Sequence, residues 1–375
     1  MVIGLLKEPQ FEKRVALLPE AVAVLRKLNV DVLVETSAGN AAFVSDADYL
    51  AVGANLVSRD KLISEADVLV KINSFTSEEV ATLKPNQVIL AVLNPFQNKE
   101  LINMLAEKSI TSFSLDTIPR TSRAQAMDIL SSMATVAGYK AVLDAALHLP
   151  KFFPMFMSAA GTIKPAKVLI LGAGVAGLQA IATSRKLGGV VEVFDVRAAV
   201  KEEVQSLGSK FIEVEGAKDD KAAGGYAVEQ TEEFKQKQRQ LIHDHAVKAN
   251  VIITTAQIPG RKAPVLVTKE TVEGMMPGAV IIDLAASSGG NCEVTQNGKT
   301  IVHNQVTIIG KSDYPSDMPF DASKMFGNNL INFLKLMITK EGGLNLNFED
   351  DIVKGTCITH DNQIVNERVK QILNA

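Results

Sequence analysis

Short, predominantly apolar runs alternate along this chain with stretches whose apolar positions recur every three or four residues. The runs at 2–6, 30–35, 68–72 and 88–93 read as buried strands, and so do those at 168–171, 190–194, 211–214, 251–255, 280–284 and 306–309. Helical spacing marks 19–28, 99–108 and 321–338, and a long pattern with few breakers at 122–149. Strands that alternate with helices imply parallel sheets, so the expected class is α/β throughout. The helix predicted over 122–149 serves as a strut between two α/β units, with Pro154 and Gly161 interrupting before the second. The run at 321–338 can carry the chain back to the first unit. The tail, 344–375, is mixed and shows no motif. No internal repeat of solenoid period is present.

One stretch says more than its periodicity. Residues 167–195, KVLILGAGVAGLQAIATSRKLGGVVEVFD, run strand, glycine turn, helix, strand and terminal acid. Gly172, Gly174 and Gly177 fill a G-x-G-x-x-G pattern, and Val175 stands where the helix begins. Gly172 permits the tight turn, Gly174 lets the backbone approach a pyrophosphate, and Gly177 lets helix and strand pack closely. The helix N-terminus offers free N–H groups and the positive end of its dipole to the phosphates. Asp195 lies 18 residues beyond Gly177, where a carboxylate can hold ribose hydroxyls. That carboxylate repels a 2′-phosphate and so favours NAD over NADP. Arg197 is the contrary signal, because a nearby arginine can receive that phosphate. Asp195 at the strand tip takes the greater weight, and Arg197 is read as a solvated residue beside the cofactor position. The first unit has no such glycine pattern and is not expected to hold the nucleotide itself.

The chain has 375 residues, too many for one ordinary core, so two domains are expected. Its 47% apolar and 22% charged residues are those of a soluble globular protein. A net charge of −3 without a polybasic run gives nucleic-acid binding no electrostatic support. Cys292 and Cys357 form neither a disulfide framework nor a metal spacing, and fit a reducing compartment. The start, MVIGLLKEPQ, is too short in its apolar run for a signal peptide. The longest uncharged run, 168–184, falls short of the roughly 20 apolar residues of a membrane span, so the chain itself is expected to be soluble and cytosolic.

Beyond the glycine turn the chemistry is more open. Arg120, Arg123, Gln125, Asp128, Ser131 and Ser132 crowd the start of an otherwise apolar helix. They read either as a capped helix start with an Asp–Arg surface pair, or as a polar cluster presented to a ligand. Lys7, Glu8, Lys13 and Arg14 follow the first strand, and Lys71 follows the strand at 68–70. Ligand sites lie at such strand ends, but solvated charges are the simpler reading. The segment 215–232, EGAKDDKAAGGYAVEQTE, is long, charged and poor in large apolar residues. It is either a lid, with Gly224 and Gly225 as hinges and Tyr226 closing on a cofactor, or a passive surface loop. The five histidines lie away from the predicted strand-end turns. No Ser/His/Asp or Cys/His arrangement and no zinc spacing is visible. A nucleotide-binding chain without an obvious acid or base suggests direct hydride transfer, which depends on positioning.

Four blocks together carry a family likeness: KEPQFEKRVALLPEAV at 7–22, PRTSRAQAMDILSSMATVAGYKAV at 119–142, GAGVAG at 172–177 and IDLAASSGGNCE at 282–293. They resemble the alanine dehydrogenase and transhydrogenase superfamily nearly end to end. Within it the chain is similar to the NAD(H)-binding components (domain I, alpha or alpha-1 subunits) of proton-translocating NAD(P) transhydrogenases. Block 119–142 is the specific portion. Alanine dehydrogenases are expected to carry a catalytic histidine where this chain has Asn94, and an active-site aspartate where it has Ser287. Arg14 and Lys71 persist at positions resembling that branch's substrate-carboxylate contacts.

The resemblance implies two Rossmann-like, doubly wound parallel-sheet domains separated by a cleft. The first is discontinuous, 1–130 plus 325–375, and the second spans 131–324. It implies that Arg120, Gln125 and Asp128 orient the nicotinamide, with Ser131 on its carboxamide. Tyr226 resembles the mobile-loop tyrosine that folds over the nucleotide, and Asp195 would bind the adenosine ribose. The implied cofactors are NAD(H) here and NADP(H) on a partner. The implied partners are an NADP-binding component, a membrane-spanning component and a second copy of the chain. That assembly places the chain peripherally on the cytoplasmic side of the inner membrane. An amino-acid dehydrogenase acting on a 2-oxo acid and a nucleotide sensor without chemistry are the alternatives.

Overall fold

The structure is a computed structural model that describes residues 1–214, 231–257 and 261–373. The chain divides into two compact units, Met1–Met133 with Pro315–Ala375, and Ala134–Tyr314. The first unit begins with strands β1 (Val2–Leu5), β2 (Asp31–Glu35), β3 (Asn55–Val57), β4 (Val68–Val70), β5 (Val88–Ala91) and β6 (Thr111–Ser114). The second unit contains β7 (Phe156–Ser158), β8 (Gly161–Ile163), β9 (Lys167–Leu171), β10 (Val190–Phe194) and β11 (Lys210–Ile212). It continues with β12 (Val251–Thr254), β13 (Val280–Asp283), β14 (Thr300–His303) and β15 (Val306–Ile309). The returning segment adds β16 (Cys357–His360) and β17 (Gln363–Ile364) to the first unit.

The first sheet runs β17-β16-β6-β5-β4-β1-β2-β3 and the second β11-β10-β9-β12-β13-β15-β14. Their six parallel strands share one order. Counted within each unit it is 3-2-1-4-5-6, the doubly wound dinucleotide-fold order. Only β14 in the second sheet, and β16 and β17 in the first, pair antiparallel among the described strands of these two sheets.

The central strands β4, β5, β12 and β13 are buried on both faces of their sheets, which is why they are largely apolar without alternation. In the first unit Ile3, Leu5, Val68, Val70, Val88 and Leu90 face one core, while Leu33, Leu69 and Ile89 face another. In the second, Val168, Ile170, Val251, Ile253, Val280 and Ile282 face one side, and Leu169, Leu171, Ile252 and Ile281 the other.

Two elements depart from the sequence expectation. The long helix predicted over 122–149 is broken. Residues Ser122–Met127 form a 3-10 turn, Asp128 is extended with ψ 92°, and the α-helix runs Ile129–His148. Asp128 is the cause: its Oδ1 accepts from the Ser131 N–H at 2.9 Å and its Oδ2 from the Ser131 hydroxyl at 2.6 Å. A capped start has replaced a continuous helix, because a carboxylate that bonds the first-turn amide leaves helical geometry at its own residue. The tail, mixed by sequence, forms the helix Asp351–Thr356 and then pairs β16 on β6, with Thr359 opposite Ser112.

Candidate nucleotide-binding site

In an open α/β sheet, ligands settle beyond the carboxyl ends of the strands where the strand order reverses. In the second unit that point lies between β9 and β12. Beyond β9 stands the glycine turn, and beyond β12 stand Thr255, Ala256 and Gln257.

The glycines of the turn divide by what surrounds them. Gly172 has φ +105°, and a Cβ there would lie 2.4 Å from the Thr255 hydroxyl. Gly177 sits where a Cβ would lie 1.9 Å from the Gly172 carbonyl oxygen. Both are required by the chain's own packing. Gly174 is different. It is the N-cap of the helix Val175–Lys186, with φ −76° and ψ −172°, and a Cβ there would meet nothing within 4 Å. No side chain caps that helix. The open space in front of Gly174 is bordered by the first-turn backbone of the helix, beginning at Val175.

Asp195 follows β10 and is 9% exposed. Its Oδ2 accepts from the Ala173 N–H at 2.7 Å, so it is tied to the glycine turn. Its Oδ1 accepts from the Arg197 N–H at 2.8 Å and from Arg197 Nε at 2.9 Å, while Arg197 Nη2 donates to Oδ2 at 2.7 Å. The reading of Arg197 as solvated is therefore corrected. A carboxylate this buried needs a counter-charge, and the guanidinium two residues on supplies it in a forked pair.

The loop after β13 is organised by one side chain. Asp283 is fully buried and its carboxylate accepts from the N–H groups of Ala285, Asn291 and Cys292 at 2.9–3.0 Å. It also accepts from the hydroxyls of Thr254 at 2.9 Å and Thr295 at 2.8 Å. Asn291, held in this way, donates to the Ala256 and Pro264 carbonyls and accepts from the Ala256 N–H. The segment beyond β12 is thus fastened to the loop beyond β13. Sequence reasoning passed over Asp283 and Asn291. The signal available in the sequence is an acid at the end of the apolar run 280–282.

The polar cluster in the first unit is only partly drawn together. Asp128 and Ser131 bond to each other, as described, while Arg120 and Gln125 are exposed. The expected Asp–Arg surface pair has a different carboxylate: Arg123 forks onto Asp350 at 2.7 Å and also meets Asp351. That fork holds the Asp350 carboxyl down to about 2. From the helix Pro319–Leu334, Asn329 and Asn332 both donate to the Ala126 carbonyl, at 2.8 and 3.1 Å. The loop that carries Gln125 is therefore held by residues about two hundred positions away. Tyr226, with Gly224 and Gly225, lies outside the described residues.

Of the charges after β1 and β4, Lys7 and Lys13 are exposed, in line with the simpler reading, while Glu8, Arg14 and Lys71 are drawn into the protein and correct it. Glu8, Glu12 and Lys71 are buried. Glu8 spans the corresponding strand-order reversal of the first unit, accepting from the N–H groups of Ile72 and Asn73 and from the Asn73 amide. Burial pushes its carboxyl above the usual range against those bonds. Arg14 forks onto Glu12 at 2.6–2.8 Å. Burial opposes ionisation of Glu12, yet the bonds and charge of Arg14 outweigh it and hold that carboxyl below the usual range. Lys71 is paired with Glu79 at 3.0 Å and lies 4.9 Å from the Phe75 ring centre. The crevice that is open beside Gly174 in the second unit is bridged here by a carboxylate.

Residues 4–137 match the family described as "Alanine dehydrogenase/PNT, N-terminal domain", and residues 141–367 match "Alanine dehydrogenase/PNT, C-terminal domain". The chain belongs to the alanine dehydrogenase/PNT family. Within this family it is 43% identical over 366 residues to the NAD(P) transhydrogenase subunit alpha of Haemophilus influenzae, covering 97% of this chain and 71% of that protein. The alanine dehydrogenase of Mycolicibacterium smegmatis stands further off, at 27% identity with 100% of this chain and 97% of that protein covered. The crystal structure of the transhydrogenase from Sinorhizobium meliloti superposes with a TM-score of 0.86 at 38% identity, covering 98% of this chain and 100% of that one. In this family member Asn94 is exposed, with φ +49°, and Ser287 is exposed, its N–H bonded to the Ser312 hydroxyl. No group of three or more His, Cys, Asp or Glu able to hold a metal ion occurs among the described residues. None of the described helices is long and apolar enough to cross a membrane.

Proposed function

We propose that the chain is the NAD(H)-binding subunit of a proton-translocating transhydrogenase, active only with partner components. The dihydronicotinamide of NADH supplies a hydride, which passes directly to NADP held on a separate component. A membrane-spanning component couples that exchange to proton movement. The observation that carries the nucleotide reading is Gly174. Its backbone torsions suit any residue and its missing side chain would occupy open space, so a ligand approaching the helix end accounts for the glycine.

Each unit contributes its own groups to this reading. The turn from Gly172 through Val175 to Gly177 presents backbone amides to a pyrophosphate. Asp195 is anchored to that turn and offers its carboxylate to the adenosine ribose. Ser131 donates its hydroxyl hydrogen to Asp128, and the lone pairs of the same oxygen can accept from a carboxamide N–H. Arg120, Gln125 and Asp128 are assigned to orienting the nicotinamide, and Tyr226 to covering the nucleotide. Transfer between two rings needs geometry more than proton chemistry, so groups of this kind act through alignment.

The deciding experiment mixes the chain with a purified NADP-binding transhydrogenase component and follows hydride transfer from NADH to an NADP analogue. Fast transfer in the mixture, and none with the chain alone, is the expected result. Gln125→Ala and Arg120→Ala should each slow transfer by about a hundredfold while changing the NADH dissociation constant by less than about threefold. Equal losses in rate and binding would remove those residues from the positioning role.

A homodimer is supported by the β7–β8 hairpin of the second unit. All six residues of its strands are exposed, including Phe156, Met157 and Ile163, and Phe152 stacks on Phe156 at 5.1 Å. An exposed apolar hairpin of this size calls for a covering surface. Sedimentation should give about twice the chain mass of 40.3 kDa, and a Met157→Asp variant should fall towards the single-chain value. A dimer untouched by that change would place the interface elsewhere.

A further inference from the structure

We infer that Arg197 is a displaceable placeholder on Asp195, which sets both how tightly the adenosine half of the cofactor binds and how strongly a 2′-phosphate is refused. This rests on the NAD reading and deepens it.

A carboxylate has about four lone-pair sites. In Asp195 all four are taken. Oδ1 accepts from the N–H and the Nε of Arg197, and Oδ2 from the Ala173 N–H and Arg197 Nη2. A ribose diol that binds this carboxylate must donate hydrogens to it, and each needs a lone pair. Two of the four donors are backbone amides, fixed by the glycine turn and by the chain after β10. The other two belong to a side chain that can rotate away. The arriving diol therefore exchanges with the guanidinium, replacing N–H donors by O–H donors.

Two consequences follow from that exchange. First, the fork keeps the buried carboxylate paired, and every binding event must first break it. Secondly, the released guanidinium stays close to the ribose, within reach of whatever substituent the 2′-oxygen carries. A 2′-phosphate can take the guanidinium, yet it then leaves Asp195 without its counter-charge beside a second negative group. The pair thus lowers affinity for NAD while softening discrimination against NADP.

The test uses 5′-AMP, which carries the adenosine half of NAD, and 2′,5′-ADP, which adds the 2′-phosphate. Titration calorimetry on the parent chain and on Arg197→Met gives both constants, with nicotinamide mononucleotide as the control. The variant should bind AMP and NADH about three- to tenfold more tightly, because a partly exposed charged fork no longer has to be broken. It should bind 2′,5′-ADP more weakly, so the ratio of the two constants widens. The mononucleotide should bind both chains alike. Should Arg197→Met fail to fold, Arg197→Lys keeps the charge without the fork and is expected to show the same tightening of AMP, only smaller. Unchanged or weaker AMP binding by a folded variant overturns the placeholder and leaves NADH binding by the parent intact. A parent chain that binds neither AMP nor NADH would instead remove the nucleotide reading beneath it.

Discussion

Gly174→Asp is expected to leave the chain at least as stable as its parent and to abolish NADH binding. The two effects separate because position 174 answers to two different demands. As an N-cap with φ −76°, it suits aspartate better than glycine, since the carboxylate can accept from an amide of the first turn. The new side chain meets no protein atom within 4 Å of its Cβ. It does fill the space through which a pyrophosphate would approach, and it brings a negative charge there. At about 5 Å and an effective dielectric constant of about 20, each charge–charge repulsion amounts to about 3 kcal/mol. The NADH dissociation constant should therefore rise by at least about a hundredfold, while the melting temperature holds or rises. Gly177→Ala supplies the contrast. Its Cβ would lie 1.9 Å from the Gly172 carbonyl oxygen, so the turn itself must move and the melting temperature should fall. Binding kept within tenfold in Gly174→Asp would show that no phosphate approaches this turn.

Asp283→Ala should cost about 3–5 kcal/mol of stability, read from the midpoint of urea unfolding. Five donors converge on this fully buried carboxylate, three backbone amides and two threonine hydroxyls. Alanine leaves a cavity and strands the amides, which cannot turn to find other partners. Asparagine is no remedy. Donors approach both carboxylate oxygens, so the amide NH2 must face N–H or O–H donors in either orientation. NADH binding should weaken as well, because Asn291 is held through Asp283 and itself clamps Ala256 beyond β12. A loss below about 1 kcal/mol would mean that the loop beyond β13 is held by its apolar packing instead.

Much of the fold was legible because its signals are local. Strand runs at 168–171 and 190–194 needed only their own residues to be recognised, and β9 and β10 stand there. The acid at 195 and the glycine spacing could be read in the same way, since turn sterics act over a few residues. The extent of the helix at 122–149 was misjudged for an equally local reason. Apolar periodicity continues straight through Asp128, while the break depends on one carboxylate turning back to Ser131. Strand β6, Thr-Ser-Phe-Ser, is too polar to announce itself, and its partner β16 arrives from a tail without any motif.

The sequence by itself determined the α/β class, the glycine turn and the family likeness, all properties of short segments whose spacing and sterics suffice. Tertiary structure decided where the charges go. Nothing local says that Glu8 closes the strand-order reversal of the first unit, that Arg123 meets Asp350, or that Asn329 and Asn332 hold Ala126. Even Arg197, two residues from Asp195, read as solvated until the glycine turn brought the Ala173 amide against the same carboxylate and buried it. A charge takes its partner from whatever folding leaves beside it once water has been removed, and that neighbourhood is assembled from strands and helices far apart in the chain.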